Sequence, residues 1–210
     1  MKERPILFSG PMVRALLAGT KTQTRRAVKA ARPGWVRVDP KPHLGDDGRL
    51  HYGWDGNTGN PLRCPYGQPG DRLWVRETHM DLGACYLYRA DDSAEQERAL
   101  VAPGQRWRPA IHMPRAASRI TLEITAVRVE RLRDISEADA RAEGISEFVG
   151  GWWCEHDDAE QIAGMTPQEG YAHLWERING AGSWAENPWV WVVTFQRAGQ
   201  APNVRAERGA

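Results

Sequence analysis

A short stretch near the start of the chain combines a lysine, three threonines and two arginines within seven residues. Lys21 precedes Thr24 by three residues, so an amine and a hydroxyl can lie close together. If Lys21 is neutral, it can accept the Thr24 proton and make the hydroxyl a nucleophile. Arg25 and Arg26 follow directly and can hold an anion or a carbonyl oxygen. The same residues are also typical of a basic, solvated turn, so the rest of the chain must decide between the two interpretations.

A predicted helix more than a hundred residues further along the chain ends in a glutamate. Residues 135–145 predict a helix, with Ser136 as its N-cap and Gly144 just past its end. Glu143 then lies at the helix C-terminus, where a negative charge is unfavourable against the helix dipole. We therefore expect an opposing cation, such as Lys21, to hold it there.

Strands predominate in the remaining pattern. Alternating apolar residues and short apolar runs predict strands over residues 4–9, 72–78, 85–90, 119–132 and 189–195. Apolar residues at helical spacing predict further helices over residues 11–18, ended by Gly19, and 167–178. Because regular helices do not separate the strands, a doubly wound parallel sheet is not expected.

These elements predict one domain over residues 1–197, of the α+β class and mainly β. A small mixed or antiparallel barrel with helices packed outside fits the pattern. Residues at about 30–68 and 148–166 are rich in turn formers and are interpreted as loop insertions, the first with room for one hairpin. Residues 198–210 form a polar tail that we expect to be disordered.

Composition favours a cytoplasmic protein without a strong overall charge. The net charge is +1, so no global field points to nucleic acid, although a local arginine patch is possible. Three cysteines without regular spacing suit a reducing compartment. We expect neither a signal peptide nor a membrane span. Ten tryptophans suggest an aromatic-lined groove in addition to core packing, because flat rings stack on bases.

Several other chemistries have weak sequence support. Among the cysteines and histidines that could bind zinc, only Cys154 and His156 lie close together, and no C-x₂-C or H-x₃-H pair is present. No glycine-rich phosphate loop follows a predicted strand, and no G-x-S-x-G motif occurs. A lone cysteine nucleophile is conceivable, but no feature selects one. We therefore expect neither a metal nor another cofactor.

The pattern as a whole resembles the ASCH-domain family, whose signature is Gly-x-Lys-x-x-Thr. The resemblance rests on residues 18–26, the Pro69–Asp71 turn before a strand, and residues 134–145. With the additional segments 64–71 and 187–191, the chain looks like the larger phage and prophage members. This resemblance covers about residues 5–197 and implies a β-barrel related to the RNA-binding PUA domain.

One branch of that family removes the acetyl group from N4-acetylcytidine by means of a lysine, a threonine and a glutamate. The resemblance implies that Lys21 is the base, Thr24 the nucleophile and Glu143 the acid, and that Arg26 matches a family arginine. It further implies a substrate that is a modified pyrimidine nucleoside or RNA. We expect a monomer or a weak dimer.

The walls of the substrate pocket are assigned from residue type. Arg26 or Arg76 would stabilise the oxyanion, and Trp74 or Trp107 would stack on the pyrimidine. The complete set of predicted substrate-binding residues is Arg26, Trp74, Arg76, Glu77, Trp107 and Arg115.

Two alternatives remain open. The first is a non-catalytic RNA-binding module, with tryptophan rings on bases and arginines on phosphates, namely Arg14, Arg25, Arg26, Arg115 and Arg119. The second is a metal-assisted ribonuclease, which needs carboxylates such as Glu77 near the pocket.

Overall fold

The computed structural model describes residues 1–29, 36–56, 58–91, 104–148, 151–154, 162–163 and 166–199. Nearly all of the predicted disordered tail and much of the predicted insertion at 148–166 lie outside these residues. The strands are β1 Glu3–Leu7, β2 Gln23–Ala27, β3 Val36–Leu44, β4 Leu50–Asp55, β5 Arg72–Arg76, β6 His79–Asp81, β7 Tyr86–Tyr88, β8 Thr121–Arg131, β9 Ile145–Phe148, β10 Gly151–Cys154, β11 Ile162–Ala163 and β12 Trp189–Arg197. The helices are α1 Gly10–Ala18, α2 Glu137–Ala142 and α3 Pro167–Asn179. Short 3₁₀ turns occupy Arg89–Asp91, Ala110–His112, Arg115–Ala117 and Leu132–Asp134.

A five-stranded sheet in the order β1-β5-β8-β12-β2 is the centre of the fold. Its first pair, β1 and β5, is parallel, and the other pairs are antiparallel. Strand β12 lies between β8 and β2, with Val193 opposite both Val127 and Thr24. Val190, Val192 and Val193 are fully buried, because β12 carries apolar residues on both faces and both faces are covered.

The mainly β, α+β class predicted from the sequence is confirmed. Within the described residues the sheets do not close into a barrel, so the predicted PUA-like barrel stays a prediction. The two edge strands of the main sheet are nevertheless linked, because the Arg26 guanidinium donates a hydrogen bond to the Leu7 carbonyl at 2.7 Å. Strands β3 and β4 form the hairpin for which the first predicted insertion left room.

Two helix ends bring the start of β2 against α2. Helix α1 ends at Gly19, whose φ of 77° is left-handed, and the chain then turns back so that the Lys21 N–H donates to the Ala15 carbonyl. The N–H of Thr22 donates to the Ala142 carbonyl at the end of α2, at 2.9 Å. These backbone bonds place Lys21 beside the residue that follows α2, which is Glu143.

The predicted cap of α2 is confirmed. The Ser136 hydroxyl accepts a hydrogen bond from the Asp139 N–H at 3.1 Å. Glu143 is the C-terminal cap of α2, and Gly144 follows with a φ of 99°. This left-handed conformation favours glycine at this position.

Helix α3 begins at the predicted position and packs across one face of the sheet. Thr166 and Glu169 form a capping box, and Pro167 occupies the first turn. Its buried face joins a hydrophobic cluster with α2 and β12, through Tyr171, Leu174, Trp175, Leu132, Ile135, Ala140, Val190 and Val192. No helix among the described residues is long and apolar enough to cross a membrane.

Candidate active site

Lys21 and Glu143 form a buried pair at the junction of β2 and α2. The Lys21 ammonium donates one hydrogen bond to a Glu143 carboxylate oxygen and another to the Glu143 backbone carbonyl, both at 2.8 Å. The side chains are 0% and 3% exposed. The predicted cation opposite Glu143 is therefore present, and it offsets the unfavourable position at the helix C-terminus.

Burial sets the acid–base behaviour of Lys21. Because the ammonium loses its contact with water, burial lowers the pKa of Lys21. Glu143 acts in the opposite direction, while the charges of Arg26 and Arg25 lower the pKa further, and the net shift is downward. A lysine in this environment gives up its proton more readily than a solvated one.

A network of ion pairs holds the other oxygen of Glu143. Arg25, whose side chain is 0% exposed, approaches Glu143 Oε1 at 3.4 Å. The same guanidinium binds Glu130 at 2.5 Å and Asp139 at 3.1 Å. Arg128 binds both of these carboxylates at 2.8 Å. Burial opposes the charge of Arg25, but the carboxylates outweigh it and raise the Arg25 pKa.

Thr24 lies next to this pair on β2. It is 3% exposed. It lines a cavity of about 50 Å³. The described lining residues are Met12, Thr24, Arg25, Arg26, Ala27, Glu143, Tyr171, Leu174, Trp175, Ile178 and Asn179. Thr24 and Glu143 thus both line this cavity, and Lys21, which contacts Glu143, is not among its lining residues.

Arg26 is the predicted substrate-binding residue that lines this cavity. It is half-buried, and its guanidinium lies 5.5 Å from the centre of the Phe8 ring. The Lys21 ammonium lies 5.7 Å from the same ring. The aromatic face of Phe8 therefore supports two of the cations of the site.

Helix α3 supplies an aromatic wall that the sequence interpretation did not assign to the site. Tyr171 and Trp175 are 4% and 5% exposed and line the cavity. The Tyr171 ring lies 5.8 Å from the Arg25 guanidinium carbon. Burial and the charge of Glu143 raise the pKa of Tyr171 well above its ordinary value, so the phenol stays protonated. The spacing of the apolar residues over 171–178 predicts that this helix face is buried, but it does not predict which residues the face packs against.

Three predicted substrate-binding residues lie together on another surface. Trp74 and Arg76 are on the β5 face opposite the buried Leu73 and Val75. The guanidinium carbons of Arg76 and Arg115 lie 5.3 and 5.9 Å from the Trp74 ring. These three residues are not among the described residues that line the Thr24 cavity.

The last two predicted residues, Glu77 and Trp107, also lie outside that cavity. Glu77 is 1% exposed and is held by Arg119 through contacts of 2.9 and 3.1 Å. Trp107 stacks under Arg89, with 5.4 Å between the guanidinium carbon and the ring centre. It lines a separate cavity of about 330 Å³ with described residues 81, 104–106, 108 and 109.

Metal and cysteine chemistry find little support in the geometry. Within the described ranges, no group of three histidine, cysteine or acidic side chains is arranged to hold a metal ion. Burial raises the pKa of the Cys64 thiol to about 11, so it is protonated at neutral pH. Cys154 and His156 are the candidate metal ligands that lie close together in the sequence. The structure describes only the backbone of Cys154.

Comparison with protein-family models, curated proteins and solved structures finds no match to this chain. Any assignment of function therefore rests on the residues of the cavity and on the sequence resemblance.

Proposed function

We propose that this chain is an amidohydrolase that uses a threonine nucleophile, a lysine base and a glutamic acid. The particular substrate we propose is N4-acetylcytidine or a closely related N4-acylated pyrimidine nucleoside. The observation that carries the proposal is the buried contact of 2.8 Å between Lys21 and Glu143 beside the cavity that contains Thr24. The ASCH-type, PUA-like fold belongs to the same proposal and is supported by the bridge from Arg26 to the edge strand β1.

The Lys21–Glu143 pair can supply both the base and the acid. Transfer of one proton from the ammonium to the carboxylate gives a neutral amine and a carboxylic acid. Burial lowers the pKa of Lys21, which favours release of this proton.

The reaction then proceeds through an acyl-enzyme. The Thr24 oxygen attacks the amide carbonyl and gives its proton to the Lys21 amine, while the Glu143 acid protonates the departing exocyclic nitrogen. Water next attacks the Thr24 ester and gives a proton to the Glu143 carboxylate. The Lys21 ammonium returns a proton to the Thr24 oxygen, so acetic acid leaves and the starting forms are restored.

Arg26 is the best placed cation for the developing oxyanion. It lines the cavity with Thr24, and its guanidinium donates a hydrogen bond to the Leu7 carbonyl alone among the described partners, whereas the Arg25 guanidinium is bound by three carboxylates. Stabilisation of an oxyanion by one donor is typically worth about 3 kcal/mol. We therefore assign Arg26 to the carbonyl oxygen and Arg25 to the positioning of Glu143.

The volume of the cavity places a condition on the proposed reaction. A volume of about 50 Å³ holds only a few water molecules, whereas ligand pockets usually measure about 300 Å³ or more. The reaction therefore requires the wall formed by α3 to move outward when substrate binds.

The direct test is to incubate the protein with N4-acetylcytidine and to follow the release of cytidine. We expect turnover by the wild type and none by Lys21→Ala. Lys29→Ala is the matched control, because Lys29 is exposed and lies just beyond β2. Equal inactivity of the wild type and Lys21→Ala over a panel of N4-acyl cytidines would sink the proposal.

RNA binding without hydrolysis is the second candidate, and the surface of Trp74, Arg76 and Arg115 favours it. This surface combines a half-buried aromatic ring with two guanidinium groups, a combination suited to a base and its phosphates. RNA affinity that falls steeply with salt, in the absence of turnover, would support this alternative.

A further inference from the structure

The indole N–H of Trp175 is a buried donor without an acceptor among the residues that the structure describes. Trp175 is 5% exposed, and its nitrogen can only donate. Buried polar groups in native proteins are nearly always hydrogen-bonded, so an unpaired one calls for a partner that is absent from the described chain.

The location of Trp175 indicates where that partner binds. Trp175 lines the same cavity as Thr24, Arg26 and Glu143. Met12 and Leu174 contribute apolar surface to the lining. The cavity therefore offers donors and a flat apolar wall, which suit a planar ring that carries carbonyl oxygens.

We infer that α3 contributes a recognition subsite to this cavity, in which the Trp175 indole N–H donates a hydrogen bond to the ring carbonyl oxygen of a planar pyrimidine amide. The inference rests on the proposed function and specifies how the substrate is selected. In N4-acylcytosine the amide carbonyl is the site of attack, and the C2 carbonyl is the second acceptor. Trp175 thus selects the substrate and takes no part in proton transfer.

The selectivity follows from the cost of a buried donor left unpaired. A site built to bind a carbonyl oxygen disfavours an analogue without that oxygen, because the indole N–H then has no partner in the complex. One such hydrogen bond corresponds to about a tenfold preference. The preference should disappear when the N–H is removed while an aromatic ring is retained.

The test compares N4-acetylcytosine with 4-acetamidopyrimidine, which keeps the amide and the six-membered ring but has no C2 carbonyl. For the wild type we expect kcat/KM to be about tenfold higher with N4-acetylcytosine. For Trp175→Phe we expect the two values to become nearly equal, mainly through loss on N4-acetylcytosine. Trp184→Phe is the matched control, because Trp184 packs on Tyr171 at 6.3 Å and is not among the lining residues of the cavity.

A loss of the same size on both substrates in Trp175→Phe would assign Trp175 to packing and overturn the inference. Titration with cytosine and 4-aminopyrimidine separates this failure from failure of the proposed function. If the wild type hydrolyses neither amide, tighter binding of cytosine that is lost in Trp175→Phe still supports the subsite. Equal binding of the two rings, or no binding of either, contradicts it.

Discussion

Two buried carboxylates in this chain each pair with a cation, and the contrast between the two pairs distinguishes the proposed active site from a structural ion pair. Glu143 contacts Lys21, and Glu77 contacts Arg119, with closest distances of 2.8 and 2.9 Å. Both carboxylate side chains are at most 3% exposed. The geometry of the two pairs is similar, but the chemistry of the cation differs.

The cation decides whether a proton can move. Burial lowers the pKa of Lys21, so this cation can give up its proton. Burial also opposes the charge of Arg119, but Glu77 and Asp91 outweigh it and raise the Arg119 pKa. A guanidinium does not lose its proton in proteins, so the Glu77–Arg119 pair is a fixed link between two elements.

Exchange of the two cation types should produce the largest effect. Lys21→Arg keeps a positive charge opposite Glu143 but removes the group that can act as a base. We expect turnover of N4-acetylcytidine to fall by about a thousandfold, in the range of general acid–base contributions. The reciprocal change, Arg119→Lys, should leave the rate within about threefold, because Arg119 is outside the cavity. Activity retained in Lys21→Arg would place the base elsewhere.

Removal of the structural cation should act mainly on stability. Arg119→Ala leaves Glu77 buried without its partner, and breaking such a pair costs about 3 kcal/mol. Chemical denaturation should show this loss in the free energy of unfolding. The matched variant Arg115→Ala removes an exposed guanidinium paired with Glu3 and should cost less than about 1 kcal/mol. Similar losses in the two variants would mean that the Glu77 pair is not specially stabilising.

The two regions should also respond to pH in opposite directions. Burial opposes ionisation of Asp139, but the charges of Arg128 and Arg25 outweigh burial and lower the Asp139 pKa. The contribution of Asp139 to stability is therefore lost as the pH falls through that lowered pKa. Burial raises the pKa of Glu77, and Arg119 offsets only part of this shift. The contribution of Glu77 to stability is therefore complete below its pKa in the unfolded chain and is lost as the pH rises through its raised pKa in the folded chain.

Unfolding of Asp139→Asn, Glu77→Gln and the wild type between about pH 2 and 7 measures these slopes. Asp139→Asn should remove part of the loss of stability that the wild type shows as the pH falls. Glu77→Gln should remove part of the loss of stability that it shows as the pH rises. If Asp139→Asn removed the loss at rising pH and Glu77→Gln removed the loss at falling pH, the electrostatic distinction between the two regions would be contradicted.

The smallest effect is expected at the surface ring. Trp74→Ala should change turnover of free N4-acetylcytidine by less than about twofold, because Trp74 does not line the cavity. If this surface binds RNA, the same variant should weaken binding of single-stranded RNA by about 1–3 kcal/mol per stacked base. A large loss of nucleoside turnover would instead place Trp74 in the substrate pocket.

The part of the site that could be predicted depends on local signals. Gly19 and Gly144 mark the ends of two helices, and the resemblance adds Lys21, Thr24 and Glu143 at or near those ends. Contact between the two ends depends on the backbone bond from Thr22 to Ala142, which no local pattern encodes.

The substrate-binding residues were harder to predict, because strand alternation gives a face but not the order of strands. Trp74 and Arg76 share a strand face, but β5 is separated from β2 by β8 and β12. Arg76 is the register partner of Leu7, whose carbonyl accepts the Arg26 hydrogen bond, yet neither Trp74 nor Arg76 is among the described residues that line the cavity. Conversely, Trp175 was assigned to an apolar helix face, and only the packing of α3 on the sheet brings it to the cavity.

The central claim is that Lys21 activates Thr24 for attack on the substrate amide. The most direct measurement is rapid quenching of the protein with N4-acetylcytidine, followed by peptide mass spectrometry to locate the acetyl group. The account predicts acetylation of Thr24 in the wild type and none in Lys21→Arg, with Thr22→Ala, at an exposed position, behaving as the wild type. Release of cytidine without acetyl-Thr24, or equal acetylation of Thr24 in Lys21→Arg, would contradict it.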